Sequence, residues 1–351
     1  MLDTTSASSR GRALYHAIWQ LVAENFFDTS RLADWPSWQH RFDEQITDES
    51  SAQRFAVEML ASLGDEFTRL TVTSHSSTAN NDGGDNEVPG TNAADNNGSQ
   101  GDSNTAAPSE APEDATEKPP VTALLGASKI AYLRIGTFDR DDIVGLVDAG
   151  IAKLKGCEGV ILDLRDNVGG GVEKALECCS HFLVDGLLAT LKFRFESGLK
   201  VREYLLNGSE FYYKDTFPDG STTSKALTRH TATLALKPIV ILLNGRTMSA
   251  SEVMICTVVQ NGFPGMVTMV GSAPTPGKGI GQMDFEVPDG NCSVRITVCH
   301  WFAPGGEWLG DFGQTVSNGI EPDTLVPNDR GPEALEVAAK ALRKMLGREE
   351  A

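Results

Sequence analysis

Apolar positions recur first at helical spacing and later at strand spacing, and the change divides the chain. Leu14, Ile18, Leu21, Val22 and Phe26 repeat every three or four positions, as on a helix buried along one face. Trp35, Trp38 and Phe42 do the same and predict a second helix over residues 34–46. Asp48 or Ser50 is placed to cap a third, running through Phe55, Val57, Met59 and Leu60, with Gly64 as its stop. Beyond residue 120 the pattern changes. Residues 130–135 alternate as a strand, Ile143, Leu146, Val147 and Ile151 return to helical spacing, and residues 159–164 read as a buried parallel strand. Arg165-Asp-Asn-Val-Gly-Gly-Gly then turns into a helix over 172–183. Strand, helix, strand, glycine turn, helix is the order of an α/β fold. Residues 193–213 alternate like an antiparallel hairpin with Asn207-Gly208 at its turn. Pro238 to Leu243 predicts another buried strand, ended by Asn244-Gly245, and a buried helix follows from Glu252. Strands are expected over 266–270, 283–287 and 293–302, and an amphipathic helix over 332–346, opened by Pro332.

Between these regions, residues 74–120 collapse to Ser, Asn, Asp, Gly, Ala, Pro and Glu, with Val88 the sole large apolar residue. Such a stretch buries too little surface to offset chain entropy and reads as a disordered acidic linker. The expected organisation is therefore a helical region over 1–73, the linker over 74–120 and a main α/β domain over 121–351. The net charge of −18, about half of it from the linker, argues against a nucleic-acid partner, which needs a basic face. No apolar run approaches the ~20 residues of a membrane span, and the first residues lack the apolar core of a signal peptide, so the cytoplasm is the default compartment. Cys157, Cys178, Cys179, Cys256, Cys292 and Cys299 form no CxxC pair and lack histidines at ligand spacing, which favours buried thiols over a metal site or disulfide framework.

Ser249 and Lys278 carry the candidate chemistry. Ser249 stands at a strand-to-helix junction, where Ser249-x-x-Glu252 is equally a capping box; Ser251 is a decoy in the same turn. Lys278 lies between Gly277 and Gly279, an arrangement that suits either a solvated loop lysine or a base whose pKa burial lowers. The spacing of a nucleotide-binding P-loop is absent. Gln282 is placed to accept a hydrogen bond from the amine. The backbone N–H groups of Gly169, Gly170 and Gly171 suit an oxyanion or merely a tight turn. Asp163 and Asp166 are expected in local salt bridges, with Arg165 for instance.

Together these segments resemble a family. Asp163-Leu-Arg-Asp-Asn-Val-Gly-Gly is similar to the LDLRxNPGG motif of the C-terminal processing, or tail-specific, serine proteases. Asn244-Gly245 with Thr247-Met-Ser-Ala-Ser-Glu252 resembles their NGxTASASE, Gly277-Lys-Gly with Gln282 their FGKGxxQ, and Gly319-Ile-Glu-Pro-Asp their GIEPD. Val168 replaces the usual proline, Pro276 the usual aromatic, and the Ser249–Lys278 interval is longer, mainly at Phe263-Pro-Gly. The resemblance implies a ClpP/crotonase-like core of stacked β-β-α units. It also implies an endopeptidase in which Ser249 is the nucleophile, Lys278 the base and Gln282 its orienter, with the N–H groups of Ala250 and of Gly169 or Gly170 forming the oxyanion hole. Neither metal nor organic cofactor is implied, and the partners would be protein or peptide substrates. The acidic linker occupies the place where the family carries a PDZ domain, so a separate substrate-delivery protein becomes a possible partner. The rival function is a non-catalytic binding module on the same fold. A crotonase-type acyl-CoA enzyme would lack the Ser–Lys pair.

Overall fold

A computed structural model describes residues 4–72, 119–125, 129–195, 197–288, 290–329 and 331–348. The expected linker lies almost entirely outside the described residues. Helix α1 (Thr4–Asn25) turns Tyr15, Ile18 and Val22 inward, with Phe26 buried just after it, and α2 (Glu49–Ala61) begins on Asp48, whose carboxylate accepts the Ser51 N–H at 2.8 Å. Between them the expected helix over 34–46 is absent. Trp35–Trp38 is a single 3-10 turn, and the chain continues by i→i+3 bonds such as Arg41 N–H to the Trp38 carbonyl. Trp35, Trp38 and Phe42 are still buried, so the periodicity marked the right face with the wrong helix type. The physical reason is competition for the carbonyls: Tyr15 Oη donates to that of Trp38 at 2.7 Å and Trp19 Nε1 to that of Trp35 at 2.9 Å.

The main body has two sheets. One runs, among the described strands, in the order β13 (Thr324–Leu325), β10 (Val267–Gly271), β9 (Ile239–Leu243), β4 (Gly159–Asp163), β3 (Ile130–Arg134), β2 (Val121–Leu125). Its pairings are parallel except for β2 with β3. Alternate residues of β4 and β9 face opposite ways: Val160, Leu162, Ile239, Ile241 and Leu243 enter the main core, whereas Ile161, Val240 and Leu242 meet Ala334, Ala338 and Leu342 of α6 (Pro332–Met345). Both faces are covered, and this explains why these strands are apolar throughout instead of alternating. Helices α3 (Ile143–Ala152), α4 (Val172–Cys179) and α5 (Ala250–Asn261) pack into the main core.

The second sheet has the order β1 (Arg69–Val72), β12 (Cys292–Phe302), β5 (Gly186–Phe195), β6 (Gly198–Asn207), β7 (Glu210–Thr216), β8 (Thr222–Leu227), with β11 (Ile280–Glu286) also on β12. The single hairpin expected over 193–213 is part of a four-strand antiparallel meander, β5 to β8, with Asn207 opposite Glu210 at the middle turn. The N-terminal helices share one continuous core with this body, and Phe27 N–H bonds the Thr297 carbonyl of β12 at 2.9 Å. All six cysteines are buried free thiols, as their apolar settings predict. No described helix is long and apolar enough to cross a membrane.

Candidate active site

Two parallel strands end side by side, and the loops that leave them are laced together. After β4, the Asn167 carbonyl accepts the Met248 N–H and the Ser251 hydroxyl, both at 3.0 Å. After β9, Asn244 donates to Asp166 at 2.8 Å and accepts the Asp166 N–H at 3.1 Å, while Thr247 Oγ1 donates to the Leu164 carbonyl at 2.9 Å. Asp163 forms its expected pair with Arg165, at 2.5 Å, and Asp166 pairs with Arg246. Ser251 is fully buried and bonded into this lattice, as befits a structural serine.

Ser249 ends the turn, half-buried, with φ 58° and ψ −121°. A non-glycine residue there costs on the order of 1–3 kcal/mol and persists only where its surroundings enforce it. The enforcing group is Glu252, wholly buried one helical turn on. Its Oε2 accepts the N–H of Ser249 at 2.7 Å and of Lys278 at 2.9 Å; its Oε1 accepts the N–H of Gly277 at 2.8 Å and the hydroxyl of Thr275 at 2.6 Å. One carboxylate thus joins the serine turn to the lysine loop, and a shared oxygen keeps the Ser249 and Lys278 backbones together. Burial raises the Glu252 carboxyl above its ordinary range, and the four donors work against that rise. The Ser-x-x-Glu spacing gave half of this arrangement; the half reaching Thr275, Gly277 and Lys278 had no signal in the sequence.

Lys278 Nζ lies 4.2 Å from the centre of the Phe67 ring, in the segment between α2 and β1. Burial, followed by the charge of Arg295, lowers its pKa to about 8, against the partial opposition of Glu252 and Asp65. Among the described residues no hydrogen bond joins this amine to Ser249 or Gln282. Gln282 sits beside a bulge in β11 and donates through Nε2 to Thr297 Oγ1 at 3.2 Å. The lysine and serine are therefore joined through their backbones, on the shared Glu252 oxygen. Gly277 has φ 79°, and a Cβ there would stand 2.6 Å from the Leu309 carbonyl oxygen, so this glycine seats the lysine loop against the protein's own backbone.

Gly169 packs against the serine turn: a Cβ on it would lie 2.9 Å from Ser249 Cβ and 3.0 Å from the Ala250 nitrogen, and its φ is 101°. Its own N–H already donates to Asn167 Oδ1 at 2.9 Å. The N–H groups of Ala250 and Gly170 have no acceptor among the described residues.

An N–H without an acceptor at the start of a helix, a strained serine and a lysine of lowered pKa thus meet on an α/β fold. The comparisons give the family. Peptidase family S41 matches residues 129–326, and the chain belongs to it. It is 31% identical over 183 residues to the carboxy-terminal processing protease CtpA of Bacillus subtilis, covering 52% of this chain and 33% of that protein. To the carboxyl-terminal-processing protease of Picosynechococcus it is 26% identical over 202 residues, 57% of this chain and 40% of the relative. The match thus spans well under half the length of these curated relatives. In fold it is similar to the photosystem II D1 C-terminal processing protease, with TM-score 0.57 at 17% identity, covering 95% of this chain and 97% of that one. A lipoprotein from Streptococcus agalactiae is similar to the same degree, with TM-score 0.57 at 14% identity and 96% of each chain covered. The α/β class expected from the sequence is the one observed.

Proposed function

We propose that this protein is a serine endopeptidase acting on protein substrates, in their C-terminal regions or as unfolded chains, with Ser249 as nucleophile and Lys278 as general base. The observation that carries the reading is the Glu252 carboxylate, which accepts hydrogen bonds from the backbones of both residues. A serine hydroxyl is a weak nucleophile until a base takes its proton, and an amine with a pKa near 8 is partly neutral at physiological pH. In the reaction the Lys278 side chain leaves Phe67 and turns to Ser249, with Gln282 holding the amine. Ser249 Oγ attacks the scissile carbonyl as its proton passes to Lys278. The N–H groups of Ala250 and Gly170 receive the oxyanion; Gly169, whose N–H is already engaged, shapes the turn. Collapse returns the proton to the leaving amine, and water activated by the same lysine releases the acyl group. Each oxyanion donor is worth about 3 kcal/mol of barrier. In this reading 121–351 is the catalytic domain, 1–73 a helical region that supplies Phe67, and 74–120 a linker.

The position of Lys278 over Phe67 favours one alternative: a binding module in which the amine never reaches the serine. Hydrolysis of casein by the protein and by Ser249→Ala separates the two. The peptidase loses at least about 10³-fold in rate on substitution, whereas equal rates, or none from either protein, would reject the reading.

A further inference from the structure

Away from Ser249, three segments distant in sequence bring Asp148, His181 and His230 together. Asp148 is on α3, His181 follows α4, and His230 belongs to the segment leading to β9. Their ligand atoms all lie within 4.8 Å of one another. His181 Nε2 is 3.6 Å and His230 Nδ1 3.5 Å from the same Asp148 oxygen, Oδ1. These separations are long for hydrogen bonds, but they match the edge of about 3.4 Å between ligands on a tetrahedral ion with bonds of about 2.1 Å. His181 is 1% exposed and its Nδ1 faces the Thr231 carbonyl at 3.2 Å, which makes Nδ1 the donor and leaves the lone pair on Nε2. That Nε2 is buried and has no hydrogen-bond partner. An imidazole fixed on one nitrogen by a backbone carbonyl and bare on the other is the usual setting of a metal-binding histidine. The Ser180 hydroxyl accepts the backbone N–H of His230 at 3.3 Å and so holds that segment beside His181.

We propose that Asp148 Oδ1, His181 Nε2 and His230 Nδ1 form a site for a divalent transition metal, zinc by its imidazole and carboxylate donors, with water completing the shell on the exposed side of Asp148. Two neutral imidazoles and one carboxylate leave a single positive charge. Glu177, whose charge acts on His230, offsets it, and Arg229, whose charge acts on His181, opposes it. The ion would join α3, the end of α4 and the segment entering the strand that carries the Ser249 turn. The other His/Asp cluster is of a different kind. His16 and His40 bond Asp43 directly, at 2.8 and 2.9 Å, so both carboxylate oxygens are already engaged.

The test uses the full chain, stripped with a chelator and titrated with Zn²⁺ in competition with a chromophoric indicator, and in parallel with Co²⁺ followed by its visible absorption. The expected result is one ion per chain, a cobalt spectrum of low coordination number, and a rise in Tm on saturation. Asp148→Asn and His230→Gln, changes at partly exposed positions, should each weaken binding by at least about tenfold, the low end for loss of a group supporting a metal site. His40→Gln should leave it unchanged. Absence of Zn²⁺ and Co²⁺ binding in the micromolar range, or binding that survives Asp148→Asn and is lost in His40→Gln, would overturn the proposal.

Discussion

The two halves of the candidate active site are held in different ways. On the serine side the turn is tied down at several points: Asn244, Thr247 and Asn167 tie it to the neighbouring loop, and Glu252 fixes the Ser249 N–H in a strained conformation. On the lysine side only the backbone is fixed. Gly277 is seated against Leu309 and the Lys278 N–H bonds Glu252, but the side chain ends over the Phe67 ring. The Ser249 backbone is thus held in place, while the Lys278 side chain rests on Phe67. Both halves rest on the same carboxylate, so the comparison turns on how far the loss of that group, or of the Phe67 rest position, is felt on each side.

The largest effect is expected from Glu252→Gln. An amide places an NH₂ against donors that now meet a carboxylate oxygen, leaving a buried N–H without an acceptor at a cost of about 1–3 kcal/mol. Loss of alignment should lower kcat/KM by roughly 10–100-fold, and urea unfolding with steady-state kinetics reads both. Equal loss of stability with unchanged kinetics would mean that the two halves are aligned by something else. A smaller effect is expected from Phe67→Leu, which keeps an apolar cover and removes a cation–π contact of about 0.5–1 kcal/mol. The ammonium form loses support, so the pH midpoint of kcat/KM should move down, and kcat should rise by about the factor of two to five that this energy represents. A fall in kcat would instead make Phe67 part of the working geometry.

The buried strands could be read from the sequence because β4 and β9 are apolar on both faces, and the serine turn because its motif is contiguous. The segment 34–46 misled because a 3-10 chain and a helix bury nearly the same spacing of tryptophans. Glu252 was visible as a cap but not as a bridge, since its other partners lie across the fold. The Phe67 contact had no local trace at all, because it is made only when the N-terminal helices dock on the main body. The choice between Gly169 and Gly170 depends on where Asn167 Oδ1 points, which spacing does not encode.

The most direct test of the central claim is the rate at which a fluorophosphonate labels Ser249 as a function of pH, followed by mass spectrometry of the intact protein and its peptides. Burial lowers the Lys278 pKa to about 8, so below that value the neutral amine, and the rate with it, should grow tenfold per pH unit before levelling above it. Lys278→Ala should abolish this profile. A single adduct on Ser249 with that dependence is the predicted result; labelling at another residue, or a rate on Ser249 indifferent to pH and to Lys278, would contradict the account.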